Sequence, residues 1–247
     1  MTGLRKYWRN SALKQAKISV VIPVYNSEKS IEELTHRLAA VLQERFFFEI
    51  ILVNDFSKDR SREVIDALEE DITQVKVYHA KENMGQQAAL KKGIELSSGD
   101  FVATMDDDLQ HRPEDLLRLK EVMDGEGYDV VYGVSKEKSY SFLRKLGSKS
   151  VDLFFTLFFN KPHAVKVSSF RLLNRKTADA IARSKGSFVY LTAIILETTK
   201  KIGNITIEYQ ERKYGKSNYT LKKLVVLFAK LTYYYRIRKL FSTREDV

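Results

Sequence analysis

Cysteine is absent from the 247 residues, which excludes disulfides and thiolate metal sites. That absence fits a reducing compartment. No stretch approaches the roughly 20 apolar residues that a membrane-spanning helix needs. The longest candidate near the end, Leu224 to Ala229, is followed at once by Lys230. The first 17 residues hold no apolar run, so the expectation is a chain without a secretory signal. Internal repeats and low-complexity linkers are also missing. What is present is 44% hydrophobic residues, enough for the core of one large domain.

The net charge of +10 is unevenly spread. Residues 1–17 carry five basic groups and no acid, and residues 212–247 carry ten basic groups against Glu245 and Asp246. The middle is left with 27 basic and 30 acidic residues, a net of −3. A nearly neutral body with two basic ends favours an anionic surface, such as nucleic acid, phosphorylated lipid headgroups or a phosphate-bearing substrate.

Short β-branched runs alternate with helical spacing through the first half. Strands are predicted at Ile18 to Pro23, Glu49 to Asn54, Val75 to Ala80, Phe101 to Met105 and Asp129 to Tyr132. Helices are predicted at Ser30 to Arg45, Ser61 to Glu70, Gln86 to Ser97 and Pro113 to Met123. Ser30 with Glu33 spells a capping box, and Pro113 suits a first helical turn. This alternation implies an α/β fold with a mostly parallel sheet covered by helices on both faces. After residue 135 the pattern loosens. Val167 to Leu173 and Asn204 to Tyr209 read as further strands, and Thr220 to about Leu240 as a basic amphipathic helix.

Sheets of this kind take ligands at the carboxyl ends of their strands. There the first strand meets Val24-Tyr25-Asn26, the second Asp55 to Asp59, and the fourth Asp106-Asp107-Asp108-Leu109-Gln110. Three adjacent carboxylates repel one another unless a cation neutralises them. Alternate residues of an extended segment share a side, so Asp106, Asp108 and Gln110 offer oxygens to one hard cation, Mg²⁺ or Mn²⁺. The bland alternative is an acidic turn capping the helix at Pro113. Asp55 suits a hydrogen bond from a nucleobase or ribose, or else a turn cluster before the next helix. Tyr25 either lines a nucleoside pocket or packs at a strand end.

The combination is more specific than its parts. The stretches IPVYN (22–26), ILVNDFSKD (51–59), NMGQQAALKKGIELSSGDFVATMDDDLQHRPE (83–114), FRLLNR (170–175) and RKYGKSNY (212–219) resemble the family-two glycosyltransferases of the GT-A fold. Within them the chain looks like the polyprenyl-phosphate branch, which includes dolichol-phosphate mannose synthase. The resemblance implies a Rossmann-like GT-A domain over residues 18–219, between a basic extension (1–17) and a basic amphipathic helix (220–247). It implies that Pro23, Tyr25, Val53 and Asp55 bind the nucleoside. Asp106 and Asp108 would hold metal and diphosphate, with Gln110 a further ligand. Glu28 and Asp107 fall on the donor side. Lys136 sits where the family often has an arginine near the donor. Arg212 and Ser217 would contact phosphate, and Arg171 with Ser169 would form the acceptor side. Arginine suits phosphate by its forked donors.

The chain also departs from the family. Ser27 intervenes before Glu28, where many relatives have Glu directly after the Tyr-Asn pair, and Ser168-Ser169 precede Phe170-Arg171 where some carry an aspartate. Relatives of this branch often continue into transmembrane helices.

A hydroxyl acceptor needs a general base, whereas a phosphate acceptor is already ionised. After residue 160 the carboxylate candidates are Asp179, which looks like helix surface, and Glu197, which closes the apolar stretch Tyr190 to Leu196.

The expected function is therefore metal-dependent, inverting transfer of a sugar from a nucleoside diphosphate sugar to polyprenyl phosphate. Asp108 and Arg212 would act on the departing diphosphate. The expected setting is cytoplasmic, peripheral at the inner face of the membrane. The rival keeps fold and donor but transfers to a saccharide hydroxyl in cell-surface polysaccharide synthesis, with Glu197 or another carboxylate as base. The Phe-rich segment 154–159 would cover a polyprenyl chain or pack in the core. The last helix would lie on an anionic membrane, dock on the domain or make an oligomer contact. A nucleic-acid module, suggested by the basic ends and Tyr233-Tyr234-Tyr235, conflicts with the net acidic middle.

Overall fold

The computed structural model describes residues 16–135, 153–186, 188–210 and 221–237. Its strands are β1 (Lys17–Val24), β2 (Phe47–Asn54), β3 (Val75–His79), β4 (Phe101–Thr104), β5 (Val130–Ser135), β6 (Arg171–Asn174) and β7 (Ile202–Ile207). The helices are α1 (Ile31–Leu42), α2 (Ser61–Asp71), α3 (Gln86–Leu96), α4 (Asp115–Glu126), α5 (Arg175–Arg183), α6 (Leu191–Thr198) and α7 (Leu221–Thr232). Residues 153–159 are also helical, and Tyr233–Ile237 form a π-helical turn after α7.

The strands make one seven-stranded sheet in the order β3-β2-β1-β4-β6-β5-β7. All pairings are parallel except those of β6, which runs antiparallel between β4 and β5. The mostly parallel α/β sheet expected from the sequence is therefore present, with one reversed strand inserted.

β1 shows why these residues make a central strand. Ile18, Val20, Ile22 and Val24 face one core with α1, α2 and α4, while Val21 faces the other with α3, α5 and α6. A strand buried on both faces reads as a continuous apolar run. The close approach of α3 depends on Gly93, where a Cβ would sit 2.2 Å from Val21 Cγ1.

Some local expectations change. The capping box does not form, because Ser30 Oγ donates to the Ser27 carbonyl and α1 has no side-chain cap. The strand expected at Val167 to Leu173 is β6, displaced to Arg171–Asn174. The apolar stretch before Glu197 is α6, with residues 191–196 all buried. Asp179 does lie on a helix surface, paired with Arg175 (2.7 Å) and Arg183 (3.1 Å).

The Phe-rich segment divides its faces. Phe155 and Phe159 are buried in the core on the α3 side, whereas Leu153, Leu157 and Phe158 are exposed. Phe154 stacks on Phe158 and on Phe228 of α7, at 4.6 and 4.5 Å between centroids. Leu231 and Tyr235 bury α7 and its π turn against the same core. Among the described residues no helix is long and apolar enough to cross a membrane.

Candidate active site

The loops leaving β1, β2 and β4 lie side by side at the carboxyl edge of the sheet. Each turns through a residue with a positive φ: Asn26 (54°), Phe56 (62°) and Leu109 (61°). That conformation costs a non-glycine residue about 1–2 kcal/mol, so the surroundings must hold it. Asn26 N–H donates to Ser57 Oγ (3.1 Å), and Asn26 Oδ1 accepts from Lys58 N–H (2.7 Å). Leu109 is anchored by its side chain, which is buried in the core.

Asp55 is buried directly after β2. It does not cap the next helix, α2, which has no side-chain cap; Asp59 accepts from Ser61 N–H (3.0 Å) at that helix's first residue. The Asp55 carboxylate instead accepts from the backbone N–H of Met84 (2.6 Å) and Gly85 (2.9 Å). It thereby fixes the turn that starts α3, where Gly85 adopts φ 83°. Burial pushes the Asp55 carboxyl above its ordinary pKa, more than the two amides pull it down. Pro23 and Val53 are buried beside it as register partners on β1 and β2. Tyr25 is half-exposed, with its ring free of the core. Glu28 is engaged locally, accepting from Arg60 N–H at 2.9 Å.

Asp106 and Asp107 turn to different partners, in a segment that bends rather than runs extended. Asp106 Oδ1 accepts from the Gln86 side chain (2.8 Å), and its Oδ2 from Ser169 Oγ (2.5 Å). Asp107 turns the other way, accepting from Tyr25 N–H (3.1 Å) and from the Ser27 hydroxyl. Burial raises its pKa to about 6; its hydrogen bonds oppose the rise, and the charges of Asp106 and Asp108 add to it. Asp108 Oδ1 accepts from Gln110 N–H (3.1 Å). None of the three caps α4, which has no side-chain cap.

Gln110 Oε1 accepts from the Tyr209 hydroxyl (3.1 Å), and Gln110 pairs through its backbone carbonyl with Gln210 N–H (2.9 Å). His111 is buried between Phe170 and Tyr209, stacked on the first and edge-on to the second. Burial lowers its pKa, against the pull of Asp106, Asp108 and Asp115.

Arg171 is buried behind this edge. Its Nε donates to Thr104 Oγ1 (3.1 Å) and to the Ser169 carbonyl (3.4 Å), and Thr104 donates to that same carbonyl (2.6 Å). Arg171 thus steadies Ser169, which in turn holds Asp106, while its own Nη1 has no hydrogen-bond partner.

Glu197 is not brought to the site. α6 starts beside α3, where Leu191 N–H donates to the Gln87 side chain (2.9 Å). It ends at Thr199, whose hydroxyl donates to Asp129 (2.5 Å) just ahead of β5. Glu197 is therefore exposed at the amino edge of the sheet, opposite the aspartates. Helical periodicity gives a side chain's face, not which end of the sheet it reaches. Lys136, Arg212 and Ser217 lie outside the described residues.

The donors present at the rim suit a hard divalent cation in kind. Asp106 and Asp108 supply hard oxygen donors, and their mutual field acts on both Asp107 and His111. Among the described residues no group of three or more His, Asp or Glu side chains is placed to hold a metal ion. A cation held by one or two carboxylates, with substrate phosphates completing its shell, needs no such group. Sequence reasoning missed Gln86, Ser27, Thr104, His111 and Tyr209, which position the aspartate loop. Gln86, Thr104 and His111 fall inside the resembling stretch 83–114 without a role assigned there, and most of these partners are 60 to 100 residues apart.

A family model described as Glycosyl transferase family 2 matches residues 19–183. Two relatives named undecaprenyl-phosphate 4-deoxy-4-formamido-L-arabinose transferase come from Pectobacterium carotovorum subsp. carotovorum (strain PC1) and Pseudomonas aeruginosa (strain LESB58). The first is 34% identical over 212 residues, covering 85% of this chain and 64% of the relative. The second is 35% identical over 216 residues, covering 85% and 62%. The chain thus spans somewhat under two thirds of the length of these relatives. Glucosyl-3-phosphoglycerate synthase from Mycobacterium tuberculosis, solved with Mn²⁺, uridine diphosphate and phosphoglyceric acid, has a similar fold. It aligns with TM-score 0.66 at 17% identity, over 88% of this chain and 76% of that one. S. aureus TarS 1–349 aligns with TM-score 0.55 at 18% identity, over 78% and 59%. The fold is GT-A, as the sequence resemblance implied. With the family model spanning most of the sheet and all three edge loops, the chain belongs to glycosyl transferase family 2.

Proposed function

We propose that this glycosyltransferase moves a sugar from a nucleoside diphosphate sugar to the phosphate of a polyprenyl phosphate, with inversion and with Mg²⁺ or Mn²⁺ bound. The observation that carries the reading is the division of the aspartate loop. Gln86 and Ser169 fix Asp106 at the carboxyl edge, while Tyr25 and Ser27 turn Asp107 inward. Such an arrangement holds Asp106 at the edge where ligands of parallel sheets arrive.

In this reading Asp106, Asp108 and Gln110 hold the cation. When bound, the cation supplies positive charge to the departing diphosphate. The nucleoside lies over Pro23, Val53 and Tyr25. Asp55 keeps the start of α3 in place beneath it and offers a remaining lone pair to the base or ribose. Arg212, Ser217 and Lys136 contact phosphate, a role that rests on the sequence resemblance. Ser169 stands between Asp106 and the acceptor side, with Arg171 behind it.

The names of the relatives support undecaprenyl phosphate or a similar lipid as acceptor. The position of Glu197 supports it as well, because the hydroxyl route loses its named candidate base. A phosphate oxygen needs no base to attack the anomeric carbon. An inner-face membrane location agrees with the apolar side chains left exposed on residues 153–159 and α7, among them Leu157 and Val225. The basic residues of α7 suit anionic headgroups.

Incubation with labelled nucleotide sugars and short polyprenyl phosphates, with Mn²⁺ and with a chelator, tests the proposal. Metal-dependent formation of a glycosyl phospholipid is expected. Transfer to saccharide hydroxyls but to no polyprenyl phosphate would overturn the acceptor assignment.

A further inference from the structure

β7 lies three places from β4 in the sheet, yet the residues just after it cross the carboxyl edge and meet the aspartate loop. The Tyr209 hydroxyl donates to Gln110 Oε1 (3.1 Å). Gln210 N–H donates to the Gln110 carbonyl (2.9 Å), and Gln110 Nε2 reaches back to the Gln210 carbonyl (3.5 Å). The Tyr209 ring is itself held edge-on to buried His111 (5.1 Å), which stacks on Phe170 (5.0 Å). Both ends of the Gln110 amide are therefore assigned, and the group that assigns the oxygen is rigidly mounted.

We propose that Tyr209 is a positioning residue for the cation site: its hydroxyl fixes Gln110 Oε1 in one orientation at the edge occupied by Asp106 and Asp108. The inference rests on the reading that Gln110 shares a divalent cation with those aspartates. An amide oxygen has two lone pairs, so one bond to Tyr209 leaves the other for a cation. A free glutamine side chain has several rotors to order before it can ligate, and Tyr209 removes most of that freedom in advance. Hydrogen-bond partners that orient a ligand in this way commonly change metal affinity by about 10–100-fold when removed.

The test measures Mn²⁺ affinity of the full chain by electron paramagnetic resonance, with and without uridine diphosphate, for wild type, Y209F, Q110A and the double variant. Melting temperature is followed in parallel. Y209F should weaken Mn²⁺ binding about tenfold, and adding it to Q110A should cause no further loss, because the tyrosine acts only through the glutamine. The melting temperature of Y209F should stay near that of wild type. Mn²⁺ affinity of Y209F within twofold of wild type, or additive losses in the double variant, would overturn the inference while leaving the donor reading intact. If wild type takes up no Mn²⁺ under either condition, the cation reading fails and the inference fails with it.

Discussion

Substitution of Asp55 separates a clamp on the protein's own backbone from a contact to the donor. In the folded chain its two oxygens accept from Met84 N–H and Gly85 N–H at 2.6 and 2.9 Å. Each hydrogen bond to a charged group contributes about 1.5–3 kcal/mol. Burial raises the carboxyl's pKa, so part of that gain is offset by the cost of enclosing the charge. Asp55→Asn keeps one acceptor oxygen and turns an amide group against the other N–H. The expected loss is about 1–2 kcal/mol. Asp55→Ala leaves both N–H groups bare, for about 2–4 kcal/mol. For a chain of this size each kcal/mol lowers the melting temperature by roughly 2–4 °C. The melting order should therefore be wild type, then asparagine, then alanine. Amide hydrogen exchange followed residue by residue should show Met84 and Gly85 opening in the same order. Both variants should also bind the nucleotide sugar more weakly, since the turn before α3 carries Gln86 toward Asp106. Alanine melting within about 1 °C of wild type, with exchange at Met84 and Gly85 unchanged, would refute the clamp and leave Asp55 as a ligand contact alone.

At the opposite edge, Glu49 is buried and accepts from Ser19 Oγ, the Ser98 backbone N–H and hydroxyl, Lys17 and Lys76. Burial alone would raise its pKa; Lys76, Ser19, Ser98 and Lys17 together outweigh it and lower the value to about 2. A carboxylate depressed from 4.5 stabilises the fold above that pH and loses the contribution as pH falls toward 2. Glu49→Gln should cost about 2–3 kcal/mol at pH 7 in urea unfolding and flatten the stability profile between those two values; an unchanged profile contradicts it. Gly93→Ala would press a methyl into Val21 and should destabilise by about 1–3 kcal/mol, whereas a gain in stability would show that α3 is seated differently over β1. Glu197→Gln should leave the transfer rate within about twofold of wild type, because a side chain at the amino edge makes no transition-state contact to lose; a tenfold fall in kcat would return it to the site.

The extent to which the sequence was legible follows from the range of the interactions involved. The parallel strands and their flanking helices appear as local apolar periodicities, because burial on both faces of β1, β2 and β4 leaves few polar residues in the run. The ends of those strands, and with them Asp55 and the aspartate trio, follow from the same pattern plus the rule for parallel sheets. The capping box at Ser30 was spelled correctly and still did not form, since Ser30 found the Ser27 carbonyl instead. β6 carries no local mark of running antiparallel, because direction is set by which neighbours are free to pair, not by the strand's own residues.

The amino-acid sequence by itself determined the α/β layering, the carboxylates at the strand ends and the family, because each is written within a few residues. Only the tertiary structure decided how those carboxylates are used. Ser169 reaches Asp106 across 63 residues, Ser27 reaches Asp107 across 80, and Tyr209 reaches Gln110 across 99. It also decided that Glu197 faces away from them. Contacts of that span arise from packing two cores against one sheet, and no window along the chain contains both partners.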